Sequence, residues 1–239
     1  MTTSGPSGQP APSRRALLAG TAGVVGLAIG AGATEAANAL TRSSGPDTGP
    51  HVASPGEELM VEHGVLKRVL LAYRAIGDRL AAGDTPPVGA VADAANIVSS
   101  FIESFHEGLE EAYVFPRVRA DHPDLIETLL VQHDKGRHLT RTITQLAADG
   151  LTTAKSRSQL ALAVAAFVRM YEPHEAWEDT VVFPALRSSS TQRTLDLLAE
   201  RFAELENRQF GDAALTTVLD RVTGVEQQLG IADLSHFTP

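Results

Sequence analysis

The residues best suited to chemistry fall into two matching segments. Residues 106–118 read HEGLEEAYVFPRV and residues 174–186 read HEAWEDTVVFPAL, with six of 13 positions identical at an offset of 68. Each opens on a histidine and places a glutamate four residues later, His106 with Glu110 and His174 with Glu178. Four helical residues turn about 400°, so the two side chains of each pair stand one above the other on one helix face. Imidazole nitrogen and carboxylate oxygen are ligands for transition-metal ions. The repeat therefore predicts two helices related by an approximate twofold, each offering the same ligand pair to one metal pair.

Composition narrows the chemistry further. The 239 residues contain no cysteine and eight histidines. Disulfides, zinc ribbons, thiolate-held clusters, cysteine nucleophiles and a lipid-modified cysteine are excluded, and any metal must sit on nitrogen and oxygen. Lys and Arg number 20 against 29 Asp and Glu, a net charge of -9. That balance lacks the basic face a nucleic-acid partner needs, so none is expected.

Helices must position these residues. Leu59, His63, Leu66, Leu70, Tyr73 and Leu80 make one helical seam, broken at Asp84-Thr85-Pro86-Pro87. A second helix over about 88–119 carries Val98, Ile102, His106, Leu109 and Tyr113 inward. A third, from near Pro123 to about Gly150, carries Ile126 or Leu125, then Leu129, His133, Gly136, Thr140 and Ile143. A fourth over about 156–187 carries Leu160, Val164, Phe167, Tyr171, His174, Glu178 and Val181. Shorter helices are expected near 191–209, with Leu195, Leu198, Phe202 and Leu205 on one seam, and near 213–229. No segment alternates long enough to be a strand. The fold class is all-α, an antiparallel up-down four-helix bundle over 56–188 with additional C-terminal helices over 189–239.

Each main helix thus buries one histidine: His63, His106, His133 and His174. Four desolvated imidazoles cost free energy unless something binds their nitrogens, and one metal centre in the core binds all of them. Glu178 falls on the same apolar seam, where an unpaired carboxylate is expensive. Glu107, Glu111, Glu175 and Asp179 lie off the ligand face and are read as solvated acids or as acceptors for the second ring proton of the imidazoles. His138 follows His133 by five residues and joins the site only through a π-bulge, with Arg137 at the four-residue place. His51, His122 and His236 are read as bystanders. Tyr113, Tyr171 and Trp177 are candidates to line a dry pocket or simply to pack the core.

These segments together resemble the hemerythrin-like, or HHE cation-binding, domain. The resemblance rests on Glu62-His63-Gly64-Val65-Leu66, His106-Glu107 with Glu110-Glu111, Gln132-His133-Asp134 with Gly136-Arg137, and His174-Glu175 with Glu178-Asp179. It covers about residues 57–187. It implies a four-helix bundle enclosing a non-haem di-iron centre, two iron ions held by His63, His106, Glu110, His133, His174 and Glu178. Oxygen-carrying members have a second third-helix histidine where this chain has Arg137, and an aspartate at the place of Asp179, which stands as the alternative to Glu178.

The function this implies is binding of O2 or a related small ligand, NO or peroxide. The alternative is a di-iron oxidoreductase that turns over peroxide or oxidises and stores iron. A ferritin-like site wants Glu-x-x-His on two helices, and here Glu103-Ser104-Phe105-His106 supplies one while Tyr171 stands at the other. A metal-free partner-binding bundle is the third reading. Upstream, Arg14-Arg15 precede an uncharged run from Ala16 to Thr34 and a small-x-small site at Ala37-Asn38-Ala39. Residues 1–39 resemble a twin-arginine signal, with an N-terminal anchor as the alternative. Export is expected, with membrane association through residues 14–37 if the segment is uncleaved. Residues 40–55 read as a linker.

Overall fold

The structure, a computed structural model, describes residues 53–238. The proposed export signal, and His51, lie outside the described residues. Six helices follow in order: α1 (Pro55–Ala81), α2 (88–118), α3 (Pro123–Ala148), α4 (154–189), α5 (Gln192–Phe210) and α6 (Ala214–Leu229), closed by a 3-10 turn over Leu234–Phe237. Among the described residues there is no strand. The first four form the bundle, with α1 and α3 each packed against both α2 and α4. Short connections make sequential neighbours antiparallel. α5 lies along α1, and α6 covers α1 and the start of α2. The C-terminal helices therefore pack on the bundle itself. No helix among the described residues is long and apolar enough to cross a membrane.

Local chemistry sets the helix limits. Ser54 and Glu57 form a reciprocal capping box ahead of α1, with Pro55 in the first turn. Thr153 and Ser156 cap α4 in the same way. α6 ends on Gly230 at φ 70, a left-handed stop that favours glycine. Leu59, Leu66, Ile76, Phe101, Ile102, Ile126 and Phe167 are fully buried between the helices. At about 1.5–3 kcal/mol for each such side chain, this core supplies the rigidity that holds polar groups in its middle.

The two helices that carry the repeat are not regular. Glu110–Val114 and Glu178–Val182 are π-turns, in which the N–H of Phe115 or Phe183 donates to the carbonyl of the glutamate five residues back. The next residue in both is a proline, Pro116 or Pro184. Proline brings no N–H, and its ring presses on the carbonyl four residues back, so the turn before it widens by one residue. The apolar seam shifts accordingly. A regular period beyond the two glutamates leads to Tyr113 and Val181, whereas the structure buries Val114 and Val182 and leaves Tyr113 and Val181 half-buried. α2 has a further π stretch over Val98–His106. α3, by contrast, is an uninterrupted α-helix, and His138 stands on its exposed side. The bulge that would bring His138 inward is absent from α3.

Candidate metal centre

His63, His106, His133 and His174 are all buried, one from each bundle helix. The Nδ1 of each has an acceptor on its outer side. His63 Nδ1 bonds Asp179 at 2.7 Å, His106 Nδ1 bonds Glu62 at 2.6 Å, and His133 Nδ1 bonds Glu111 at 2.9 Å. His174 Nδ1 bonds the Gln132 side-chain oxygen at 2.9 Å. Ionised carboxylates only accept, so one ring proton sits on Nδ1 and Nε2 is the nitrogen left to take a metal ion or a second proton. This is how a protein fixes an imidazole as a ligand. Two of these nitrogens, on His133 and His174, face each other across 3.2 Å. That arrangement is repulsive until a cation or a proton sits between them.

Glu110 and Glu178 complete the cluster and are wholly buried. Glu110 lies 3.4 Å from His106 Nε2 through one oxygen and 3.6 Å from His133 Nε2 through the other. Glu178 Oε2 lies 3.2 Å from His174 Nε2 and 3.4 Å from His63 Nε2. Each carboxylate therefore spans both histidine pairs. No oxygen of either glutamate has a hydrogen-bond partner, nor has His63 Nε2. Two triads result, His63/His106/Glu110 and His133/His174/Glu178, each with its ligand atoms within 4.8 Å of one another.

The electrostatics reflect this surplus of buried negative charge. Burial alone would lower the pKa of His63, but Asp179 and Glu178 outweigh it and push it up to about 9. Burial likewise opposes a charge on His106, yet Glu110 and Glu62 raise it well above the ordinary value. His133 is raised against its burial by Glu111, Glu107, Glu110 and Glu178. Glu178 resists the cost of burial because His174 and His63 hold its carboxyl far below the usual range. His133 and Arg137 bring Glu111 down to about 2 against the opposing effect of partial burial.

An outer layer supports the cluster. Phe183 stacks on His63 with centroids 5.5 Å apart, and Phe115 stacks on His133 at 5.4 Å. The Phe-Pro pair of each repeat thus forms the π-turn with its proline and braces a histidine of a neighbouring helix with its ring. Arg137 reaches Glu111 at 2.5 Å and Glu107 at 2.8 Å. The Tyr171 hydroxyl donates to Glu107 at 2.6 Å. Burial, and then Glu107, raise that phenol well above its ordinary pKa. Tyr171 needs Gly136 opposite it, because a Cβ there would lie 1.9 Å from the hydroxyl. On the other side Lys67 pairs with Glu175 at 2.8 Å.

Comparison with known proteins agrees with this architecture. The family model for the hemerythrin HHE cation binding domain matches residues 54–154 and again 124–229. The chain belongs to the hemerythrin HHE cation-binding family. Two uncharacterized proteins, one from Mycobacterium bovis and one from Mycobacterium tuberculosis, are each 43% identical over 235 residues, 96% of this chain and 92% of theirs. No solved structure matches. The second family match starts in α3, so the two matches overlap over residues 124–154 and together span all four bundle helices.

A cation suits what this HHE domain presents. The inward nitrogens and the unpartnered carboxylate oxygens are a nitrogen and oxygen donor set that one or two metal ions would satisfy. All six residues expected from the sequence meet here. Asp179 approaches His63 from outside, on Nδ1, so it is Glu178 that joins the cluster. Glu111 and Asp179 do act as ring-proton acceptors. Glu107 and Glu175 are buried, not solvated, because Arg137 and Lys67 neutralise them. Of the aromatics, Tyr113 turns away toward Arg201 and Phe202, and Trp177 is exposed. Glu103 of the Glu-x-x-His segment is not in either triad. His122 precedes α3 without a side-chain cap, and His236 lies in the closing turn. The sequence reading gave no role to Glu62 and Gln132. Their signal was position, since each directly precedes the histidine of its helix.

Proposed function

We propose that this protein is a non-haem di-iron protein that binds O2 or a related small ligand, NO or peroxide, inside the bundle. The observation that carries the reading is the convergence of four outward-anchored imidazoles on two unpartnered carboxylates that each span both histidine pairs. Iron, when bound, would supply the redox and ligand-binding chemistry. His63, His106, His133 and His174 hold the nitrogen donors. Glu110 and Glu178 bring the two positions within reach of shared oxygens. The helices around them exclude bulk water, which strengthens every charge interaction at the site.

Peroxide turnover or iron oxidation is the second reading, and Arg137 favours it. Oxygen-carrying relatives would have a histidine there, whereas this chain places a guanidinium bound to Glu107 and Glu111. That leaves two imidazoles for each position. The test is optical spectroscopy of the reduced, iron-reconstituted protein exposed to O2 and then to peroxide. A band that disappears when O2 is removed supports carriage, and sustained oxygen evolution from peroxide supports turnover. Purified protein that takes up no stoichiometric iron contradicts both. We further propose that residues 1–39 act as a twin-arginine-like export signal for the folded protein. Arg14→Lys with Arg15→Lys, fused to a reporter, should abolish extracytoplasmic activity, and unchanged export would remove the idea.

A further inference from the structure

The bundle repeats itself with α1 and α2 standing to α3 and α4 as one half to the other. His63 corresponds to His133, His106 to His174, Glu110 to Glu178, and Phe183 on His63 to Phe115 on His133. The outer acceptors correspond too, Asp179 on His63 with Glu111 on His133. The symmetry fails at the fourth acceptor. His106 leans on the carboxylate of Glu62, whereas His174 leans on the neutral amide of Gln132.

A second asymmetry points the same way. The oxygen of Glu111 that takes the His133 proton also takes a hydrogen bond from Arg137. Asp179 is bonded to His63, and Lys67 turns to Glu175 instead. Both imidazoles of the His63/His106 pair therefore have carboxylate acceptors. The His133/His174 pair has one shared carboxylate and one amide. A carboxylate acceptor makes the far nitrogen a stronger donor, and loss of such a partner typically weakens metal binding about ten- to a hundred-fold.

His174 also borders a cleft. This cleft of about 380 Å³ between α3 and α4 is lined by Leu125, Leu129, Gln132, Pro173, Trp177 and His174 itself. Two clefts beside α1 are walled by Phe183 and by Glu175.

We propose that the two metal positions are unequal: the His63/His106 position fills first and retains its ion, the His133/His174 position is the exchangeable one, and Gln132 sets the difference. The inference rests on the two-metal reading above. Gln132 is a positioning residue, acting through His174. The test is anaerobic titration of the full-length apoprotein with Fe(II), followed by calorimetry and chelator competition. The wild type should take two equivalents in steps separated about ten-fold or more. Gln132→Glu should tighten the second step and narrow the gap, and Glu62→Gln should weaken the first. His174→Ala should keep one tight equivalent, and His63→Ala only a weak, chelator-labile one. Two equivalents with no such separation, or a gap unmoved by both Gln132→Glu and Glu62→Gln, overturn the inference while leaving the two-metal reading intact. Uptake of fewer than two equivalents by the wild type overturns both.

Discussion

The His63/His106 half and the His133/His174 half of this bundle share their inner parts and differ in their outer ones. His106-x-x-x-Glu110 and His174-x-x-x-Glu178 are equivalent down to the π-turn and the Phe-Pro that follow. Around them Glu62 corresponds to Gln132, Lys67 to Arg137, and Glu103 to Tyr171 under the approximate twofold. The inner set is under a common geometric demand, since both glutamates must span both histidine pairs. The outer set has no such demand and is where the halves take separate characters. The Tyr171 hydroxyl and Arg137 meet on Glu107, whereas Glu175 has Lys67.

The most damaging way to break this comparison is to remove a shared inner ligand. Glu110→Ala or Glu178→Ala should lower iron content in both halves, while His106→Ala or His174→Ala should empty mainly its own; metal analysis of reconstituted protein distinguishes the patterns. Equal loss from all four variants would mean the halves are not separable.

Acidity is the next lever. In the metal-free protein His63 holds its proton up to about pH 9, against 6.5 when unfolded. Its contribution to stability is therefore fully present below 6.5 and is lost as pH rises through 9, on the order of a few kcal/mol. His106 and His133 are raised in the same direction. The apoprotein should melt at progressively lower temperature between pH 7 and 9.5. A bound metal would take the place of those protons, so the loaded protein should show a flatter profile over that window. Parallel profiles would contradict cation replacement of the imidazole protons.

Gly136→Ala comes next, because its counterpart position in α1 is Leu66 and tolerates a side chain. The added Cβ collides with Tyr171 and should cost about 1–3 kcal/mol by overpacking. Gly136→Ala combined with Tyr171→Phe, which removes the nearest clashing atom but leaves ring carbons at 2.7 and 2.9 Å, should recover only part of the loss in thermal denaturation. Tyr171→Phe alone is the smallest perturbation, about 1 kcal/mol, because Arg137 still neutralises Glu107. A loss well above that would mean the tyrosine supports the site more than its single hydrogen bond indicates.

Much of this centre was legible in the sequence for a physical reason. An apolar seam interrupted by histidine at one place per helix is expensive without a common ligand, and His-x-x-x-Glu is fixed by helical pitch alone. The burial of Val114 and Val182 was not legible from a regular period, because Pro116 and Pro184 insert a residue into the turn before them. Nor were the roles of Glu62, Gln132 and Arg137, which depend on contacts between helices rather than on spacing within one. His138 shows the converse, since π-turns precede Pro116 in α2 and Pro184 in α4, whereas α3 is regular and has no proline beyond its first residue.

In the proposed di-iron centre Glu110 and Glu178 would each be shared by the two ions. Mössbauer spectroscopy of the protein reconstituted with iron-57 tests it most directly. The prediction is about two iron ions per chain, magnetically coupled through the shared carboxylates, as expected for a di-iron site in a bundle core. A single iron per chain, or two that behave as isolated high-spin ions, would contradict it.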